Sequence, residues 1–318
     1  MPSLPTFEDV LAAAQRIAPY ATATPVLHSR TLDALAGCEL HFKAEHLQRS
    51  GAFKFRGACN AVWALSPEQA ACGVVTHSSG NHGAALALAA RTRGIACHVV
   101  VPEGAVAAKL ANIERHGATL WRCASSIAAR EATCARVQAQ TGAVLVHPYA
   151  DAAVMAGQGT AALELLRAAG PFDALVVPVG GGGLASGTAL AARALAPACE
   201  VVLAEPAGAA DAARSLAAGE LRVDFVPDTI CDGLRGTLGQ PDFEVLRALG
   251  AEVVVVDDAA TVAAMRLLWQ VLKQTVEPSS ATVLAAVLAQ PARFAGKRVG
   301  VVLSGGNVDI DALPWSRA

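Results

Sequence analysis

A chain of 318 residues that is 53% hydrophobic and 16% charged can bury a large core, enough for one large or two moderate α/β domains. Its net charge is −2 and no run of Lys or Arg makes an electrostatic stripe, which excludes nucleic acid as a partner. The start, MPSLPTFEDV, lacks the basic and apolar stretches of a secretory signal, and residues such as Asp257 and Arg266 interrupt every apolar run before the roughly 20 residues a membrane helix needs, so no membrane is implied and a cytoplasmic location is expected.

Along the chain, short β-branched runs alternate with alanine-rich stretches of helical length, the pattern of parallel strands joined by crossover helices. The runs predict strands at ACGVVTH (71–77), ACHVVVPE (96–103), TLWRC (119–123), AVLVHP (143–148), DALVVPV (173–179), CEVVLAE (199–205), AEVVVVD (251–257) and RVGVVLSG (298–305). Helices are predicted between them at 81–93, 107–116, 125–140, 157–168, 184–195, 207–218, 261–274 and 279–289. The eight cysteines are scattered, with no C-x-x-C pair and no histidine at zinc-finger spacing, and read as reduced packing thiols.

Three strands run into a Gly/Ser turn and then a helix or bend: VVTHSSGNHGAALALAA, LVVPVGGGGLASGTALAA and VGVVLSGGNVDI. Ligands of open parallel sheets bind beyond the carboxyl ends of the strands, so these turns are expected to face one cleft. In the middle turn, Gly180, Gly181, Gly182 and Gly183 let several N–H groups point one way, and the helix that follows adds its positive end, which suits a phosphate better than packing alone requires. Gly180, Gly182 and Ala185 also fit G-x-G-x-x-A, with Glu205 where a ribose-binding acid would fall, so a nicotinamide enzyme is the rival reading; it leaves the other two turns unused.

In SGAFKFRGA (50–58), Lys54 lies between Phe53 and Phe55, with Arg56 two places on. A lysine held among aromatics near a phosphate site and beside a second cation has its ammonium form disfavoured and becomes a nucleophile toward an aldehyde, whereas a lone surface lysine would only snorkel. Pyridoxal phosphate offers both the aldehyde and the phosphate.

SGAFKFRGA, THSSGNHGAAL, HPY…MAGQGT, VPVGGGGLASG, AEPAGAADA, CDGLRGTLG and VVLSGGNVD together resemble, in order and over nearly the whole chain, the serine racemase and serine/threonine dehydratase family. That resemblance implies the two-domain, three-layer α/β fold type II of pyridoxal-phosphate enzymes, each domain an open, mostly parallel sheet flanked by helices. The large domain would comprise 1–49 and 146–318 and the small domain 50–145, with the cofactor between them.

By resemblance, Lys54 carries the cofactor and moves the α-proton, Phe53 packs on the ring, and Asn81 bonds the ring hydroxyl. Gly180 to Gly183 hold the phosphate, and Ser304 meets the ring nitrogen. Ser78, Ser79, Asn81, His82 and Arg130 face the amino-acid substrate, with Ser79 placed to return a proton on the face opposite Lys54. Glu205, the carbonyl of Ala209 and Asp211 match the family's divalent-cation site, for Mg²⁺ or Ca²⁺. The implied activity is elimination of water from a β-hydroxy amino acid to give a 2-oxo acid and ammonia, with racemisation as a side activity. A main racemase activity and a non-catalytic, metabolite-binding relative are the alternatives.

Gly236 departs from the pattern, because the racemase-like members often carry serine there. The missing side chain favours a larger or more polar β-substituent, such as that of threonine, 3-hydroxyaspartate or phenylserine. A homodimer is expected by resemblance alone, and from the short stretch after Ser304 no appended regulatory domain is expected.

Overall fold

The computed structural model describes residues 4–315, which form two sheets with helices on both faces. The strands in chain order are β1 (Val26–Leu27), β2 (Glu39–Ala44), β3 (Val74–His77), β4 (Cys97–Pro102), β5 (Thr119–Cys123), β6 (Val144–Leu145), β7 (Ala174–Pro178), β8 (Glu200–Pro206), β9 (Glu252–Val256) and β10 (Arg298–Leu303). One sheet has the order β1-β2-β10-β7-β8-β9 and the other β5-β4-β3-β6. Every pairing is parallel except that of β1 with β2.

Parallel strands covered on both faces must be apolar throughout, and β7 (ALVVP) is buried at every position. Alternate residues serve opposite faces: Ala174 and Val176 pack with the helices 258–270 and 278–289, while Leu175 and Val177 pack with 152–169 and 183–195. The smaller sheet divides likewise. Val74, Val99 and Val101 meet helices 54–64 and 81–93, and Val75 and Val100 meet helix 127–141.

Each of the eight predicted strands is present, and helix 81–93 has the predicted bounds. Sequence patterning overlooked β2, ELHFKA, because its polar letters suggest no core strand. In the structure His41 and Lys43 are nonetheless buried: Lys43 Nζ donates to the carbonyl of Thr24 (2.7 Å) and to Glu164 (2.6 Å), so hydrogen bonds satisfy its charge.

The expectation that Arg56 acts on Lys54 is overturned. Arg56 is fully buried and gives its guanidinium to Glu45 (2.7 and 2.8 Å), Glu164 (2.7 and 2.8 Å) and Thr160 (3.1 Å), on a different side of the helix from Lys54. Two carboxylates consume its charge, and it fastens helix 54–64 to helix 152–169 instead. All eight cysteines are free. No helix among the described residues is long and apolar enough to cross a membrane.

Candidate active site

The carboxyl ends of β3, β7 and β10 release the turns SSGN, VGGGG and SGG toward one another, and the start of helix 54–64 is fastened among them. The amide of Phe53 donates to the carbonyl of Ser304 (2.9 Å), and Ala52 bridges to Gly305. Lys54 thereby begins its helix beside the end of the central strand. Its Nζ donates to the carbonyl of Pro148 (2.9 Å) and lies 5.0 Å from the centre of the Phe53 ring. Burial pushes the ammonium down to about 8, opposed by the carboxylates of Asp242 and Glu277. An amine in that state is both a base and a nucleophile near neutral pH.

Tyr149, next to Pro148, joins the lysine to the glycine turn. A methyl group at residue 181 would overlap the Tyr149 ring, and Gly182 has φ +104°, which a side chain would strain. Close packing therefore accounts for part of the glycine run. Helix 183–195 then starts at Gly183 with its N–H groups toward the turn, the arrangement that receives an anion. A cup free of Cβ atoms, a helix N-terminus and a lysine of lowered basicity fit pyridoxal phosphate.

The SSGN turn lies opposite. Ser78 Oγ accepts from the amide of Gly80 (3.4 Å), and the hydroxyl of Ser79, half-buried, has no hydrogen-bond partner among the described residues. Asn81 Nδ2 donates to Glu277 (3.0 and 3.1 Å) and its Oδ1 accepts from Asn307 (2.9 Å), which fixes the amide orientation. His82 is brought not to the cleft surface but into the core: it is buried, with Nε2 at 3.3 Å from the carbonyl of Val146, and burial lowers its pKa well below the ordinary range.

Arg130, on helix 127–141, is half-buried, and its Nε is buried without a partner among the described residues. Its charge bears on His77, whose pKa is lowered by burial first and by Arg130 second. His77 packs edge-on against His147 (5.1 Å), and His147 against Tyr149 (4.6 Å). His147 Nδ1 accepts from the amide of Ala150 (3.0 Å), so its proton sits on Nε2, and burial takes its pKa down to about 4. Neutral imidazole donors and one unsatisfied guanidinium nitrogen make this wall receptive to an anion. Arg235 is spent elsewhere, on the carbonyl of Thr229 (3.0 Å from Nε).

Glu205, near the end of β8, and Ala209 and Asp211, just past it, are all buried. The two Glu205 oxygens accept the amides of Ala212 (2.8 Å) and Ala213 (2.9 Å). A carboxylate so enclosed does not reach a ribose, which removes the acid the nicotinamide reading needs. Asp211 Oδ2 accepts from Leu238 N (2.7 Å), while Oδ1 is buried and unpartnered among the described residues. Burial and mutual repulsion push Glu205 up to about 8, and burial takes Asp211 up to about 6. Among the described residues no three His, Cys, Asp or Glu side chains converge, so a cation here would draw on two carboxylates, the Ala209 carbonyl and water.

Sequence reasoning quoted HPY without giving Pro148 or Tyr149 a role, and missed Asp242 and Glu277. Pro148 acts through its backbone, which its letter does not reveal. Glu277 had a readable signal: an acid immediately before the Pro278 that opens helix 278–289, at the anion-favouring end.

Comparison with known proteins agrees with this geometry. A family model described as pyridoxal-phosphate dependent enzyme matches residues 17–305. The chain is 49% identical to a β-hydroxyaspartate dehydratase of Paracoccus denitrificans, covering 98% of this chain and 99% of that protein. It is also 49% identical to a serine racemase of Arabidopsis thaliana, covering 95% and 92%. The structure of maize serine racemase superposes with a TM-score of 0.94 at 45% identity, covering 99% of this chain and 97% of that one. The chain thus belongs to the pyridoxal-phosphate dependent enzyme family.

Proposed function

We propose that this enzyme removes water from a β-hydroxy amino acid and releases a 2-oxo acid and ammonia, and that its preferred substrate carries a second carboxylate, as 3-hydroxyaspartate does. The observation that carries the reaction is the buried Lys54 amine, lowered to about 8 and held on the carbonyl of Pro148. The cofactor would be held by Lys54, Phe53, Asn81, Gly180 to Gly183 and Ser304, and when bound it supplies the electron sink for the charge left on the α-carbon. Lys54 takes the α-proton, a role that needs an unprotonated amine near neutral pH. Ser78 and the backbone N–H groups of the SSGN turn orient the α-carboxylate.

Arg130 favours the dicarboxylate. A buried guanidinium nitrogen without an acceptor, beside His77 and His147, is unfinished until an anion meets it. The relatives include both a β-hydroxyaspartate dehydratase and a serine racemase at the same identity, so Gly236, the departure from the racemase-like pattern, serves as the discriminating letter. Ser79 supports a secondary racemase activity, its free hydroxyl being available to return a proton. The pair Glu205 and Asp211 would bind a divalent cation outside the chemistry, and the assembly would be a homodimer.

The test is a panel of 3-hydroxyaspartate isomers, serine, threonine and phenylserine, scored for 2-oxo acid, ammonia and enantiomer. A higher kcat/KM for serine than for every 3-hydroxyaspartate isomer overturns the substrate assignment. Racemisation without ammonia from any of them overturns the reaction.

A further inference from the structure

Helix 240–248 begins on the glycine turn: the amide of Gly239 donates to the carbonyl of Gly181 (3.0 Å). In its first turn stands Asp242, fully buried, its Cβ against Gly182. Oδ1 accepts from Ser186 Oγ (3.2 Å), on the first turn of helix 183–195. Oδ2 has no partner among the described residues and ends in the space bounded by Gly239, the Cβ of Ala150 and the Tyr149 ring. An unsatisfied carboxyl oxygen at the base of an anion cup is a contradiction if the group is ionised, since it would repel a phosphate. As an acid it is a donor in want of an acceptor.

The surroundings favour the acid. Lys54, from helix 54–64, is the one cation opposing the burial of Asp242, and Tyr149, from the segment before helix 152–169, is the neighbouring phenol, itself pushed up by burial. Helix 183–195 contributes only the Ser186 hydroxyl, and helix 240–248 only its own amide. Burial drives the Asp242 carboxyl well above the usual carboxylate range.

We propose that Asp242 holds the cofactor's phosphate as a neutral acid, its O–H donating to a phosphate oxygen, so that cofactor capture is linked to one proton retained on this residue. The idea rests on the cofactor assignment above. It adds a side-chain donor to a cup otherwise made of backbone N–H groups, and it makes retention of the phosphate ester sensitive to alkali.

The experiment measures the dissociation constant of pyridoxal 5′-phosphate, and of pyridoxal, which lacks the phosphate, for apoprotein between neutral and alkaline pH by absorbance and calorimetry. Wild type, Asp242→Asn and Asp242→Thr are compared, with circular dichroism as the check on folding. One linked proton makes wild-type affinity for the phosphate ester fall about tenfold per pH unit more steeply than that of Asp242→Asn once the acid titrates. With pyridoxal the two proteins should show the same slope. Equal slopes with the phosphate ester, or a difference that persists with pyridoxal, overturns the proposal. Should Asp242→Asn not fold, Asp242→Thr supplies the same comparison. Failure of wild type to bind either aldehyde would instead count against the cofactor assignment.

Discussion

The amide of Phe53 donates to the carbonyl of Ser304 at 2.9 Å, which ties the residue before the lysine to the residue that follows the central strand. Because β10 is itself clamped between β2 and β7, the start of helix 54–64 inherits the position of the sheet. The lysine can be aimed precisely although it belongs to the chain segment that crosses between the sheets.

Replacing Lys54 with alanine should remove the covalent attachment and the base together. Elimination should fall by at least about a thousandfold, and borohydride followed by peptide mapping should label residue 54 in wild type and nothing in Lys54→Ala. In apoprotein the rate of imine formation with an added aldehyde should rise with pH to a plateau reached just above 8, where a solvated lysine would still be climbing toward 10.5. The sign follows from burial: the charged amine is the disfavoured form, so reactivity falls as the pH drops through 8, whereas the stability the neutral amine retains is lost between 10.5 and 8, where only the unfolded lysine is protonated, and changes no further below 8.

Ser79→Ala should leave elimination within a few-fold and reduce racemisation by about a hundredfold, read as solvent deuterium incorporation and enantiomer ratio. The Ser79 hydroxyl makes no hydrogen bond among the described residues, so its removal should not lower thermal stability measurably.

Arg130→Ala should raise KM for 3-hydroxyaspartate and leave serine almost unaffected. A charge-assisted hydrogen bond of about 1.5–3 kcal/mol corresponds to roughly a tenfold to hundredfold change in kcat/KM for the dicarboxylate.

Gly236→Ser tests the other side of the same preference. A Cβ at residue 236 would come no nearer than 3.6 Å to Tyr149, an ordinary contact, and the backbone there needs no glycine. The variant should therefore fold normally and shift the serine to 3-hydroxyaspartate ratio of kcat/KM upward, about tenfold, in paired assays.

Chelation should lower the melting temperature by roughly 5 °C, and Mg²⁺ or Ca²⁺ should restore it, because a cation binding only the folded state stabilises it by mass action. Asp211→Asn should melt at a temperature indifferent to chelator. The Asp211 Oδ1 without a partner is the atom that predicts this response.

Much of the plan was legible because parallel strands need unbroken β-branched runs and turns that bind anions need glycine; both leave marks in the letters. What stayed hidden depends on contacts between distant segments. Arg56 read as a companion of Lys54 because it lies two positions away in sequence, yet on a helix that spacing turns it to another side, toward Glu45 and Glu164. Asp242 lay in no motif and Tyr149 lay in HPY without a role, since each matters only for where the glycine turn happens to lie. His82 belonged to a recognisable motif, and its burial against Val146 was invisible without the sheet behind it.

The strand at the middle of the larger sheet, β10, is the last strand in the chain, and its neighbours β2 and β7 are made long before it. During synthesis those earlier strands must wait with a gap between them, and the residue that anchors Phe53 leaves the ribosome only near the end. A truncated chain without residues 298–305 keeps the lysine but loses the Ser304 carbonyl that anchors its neighbour Phe53.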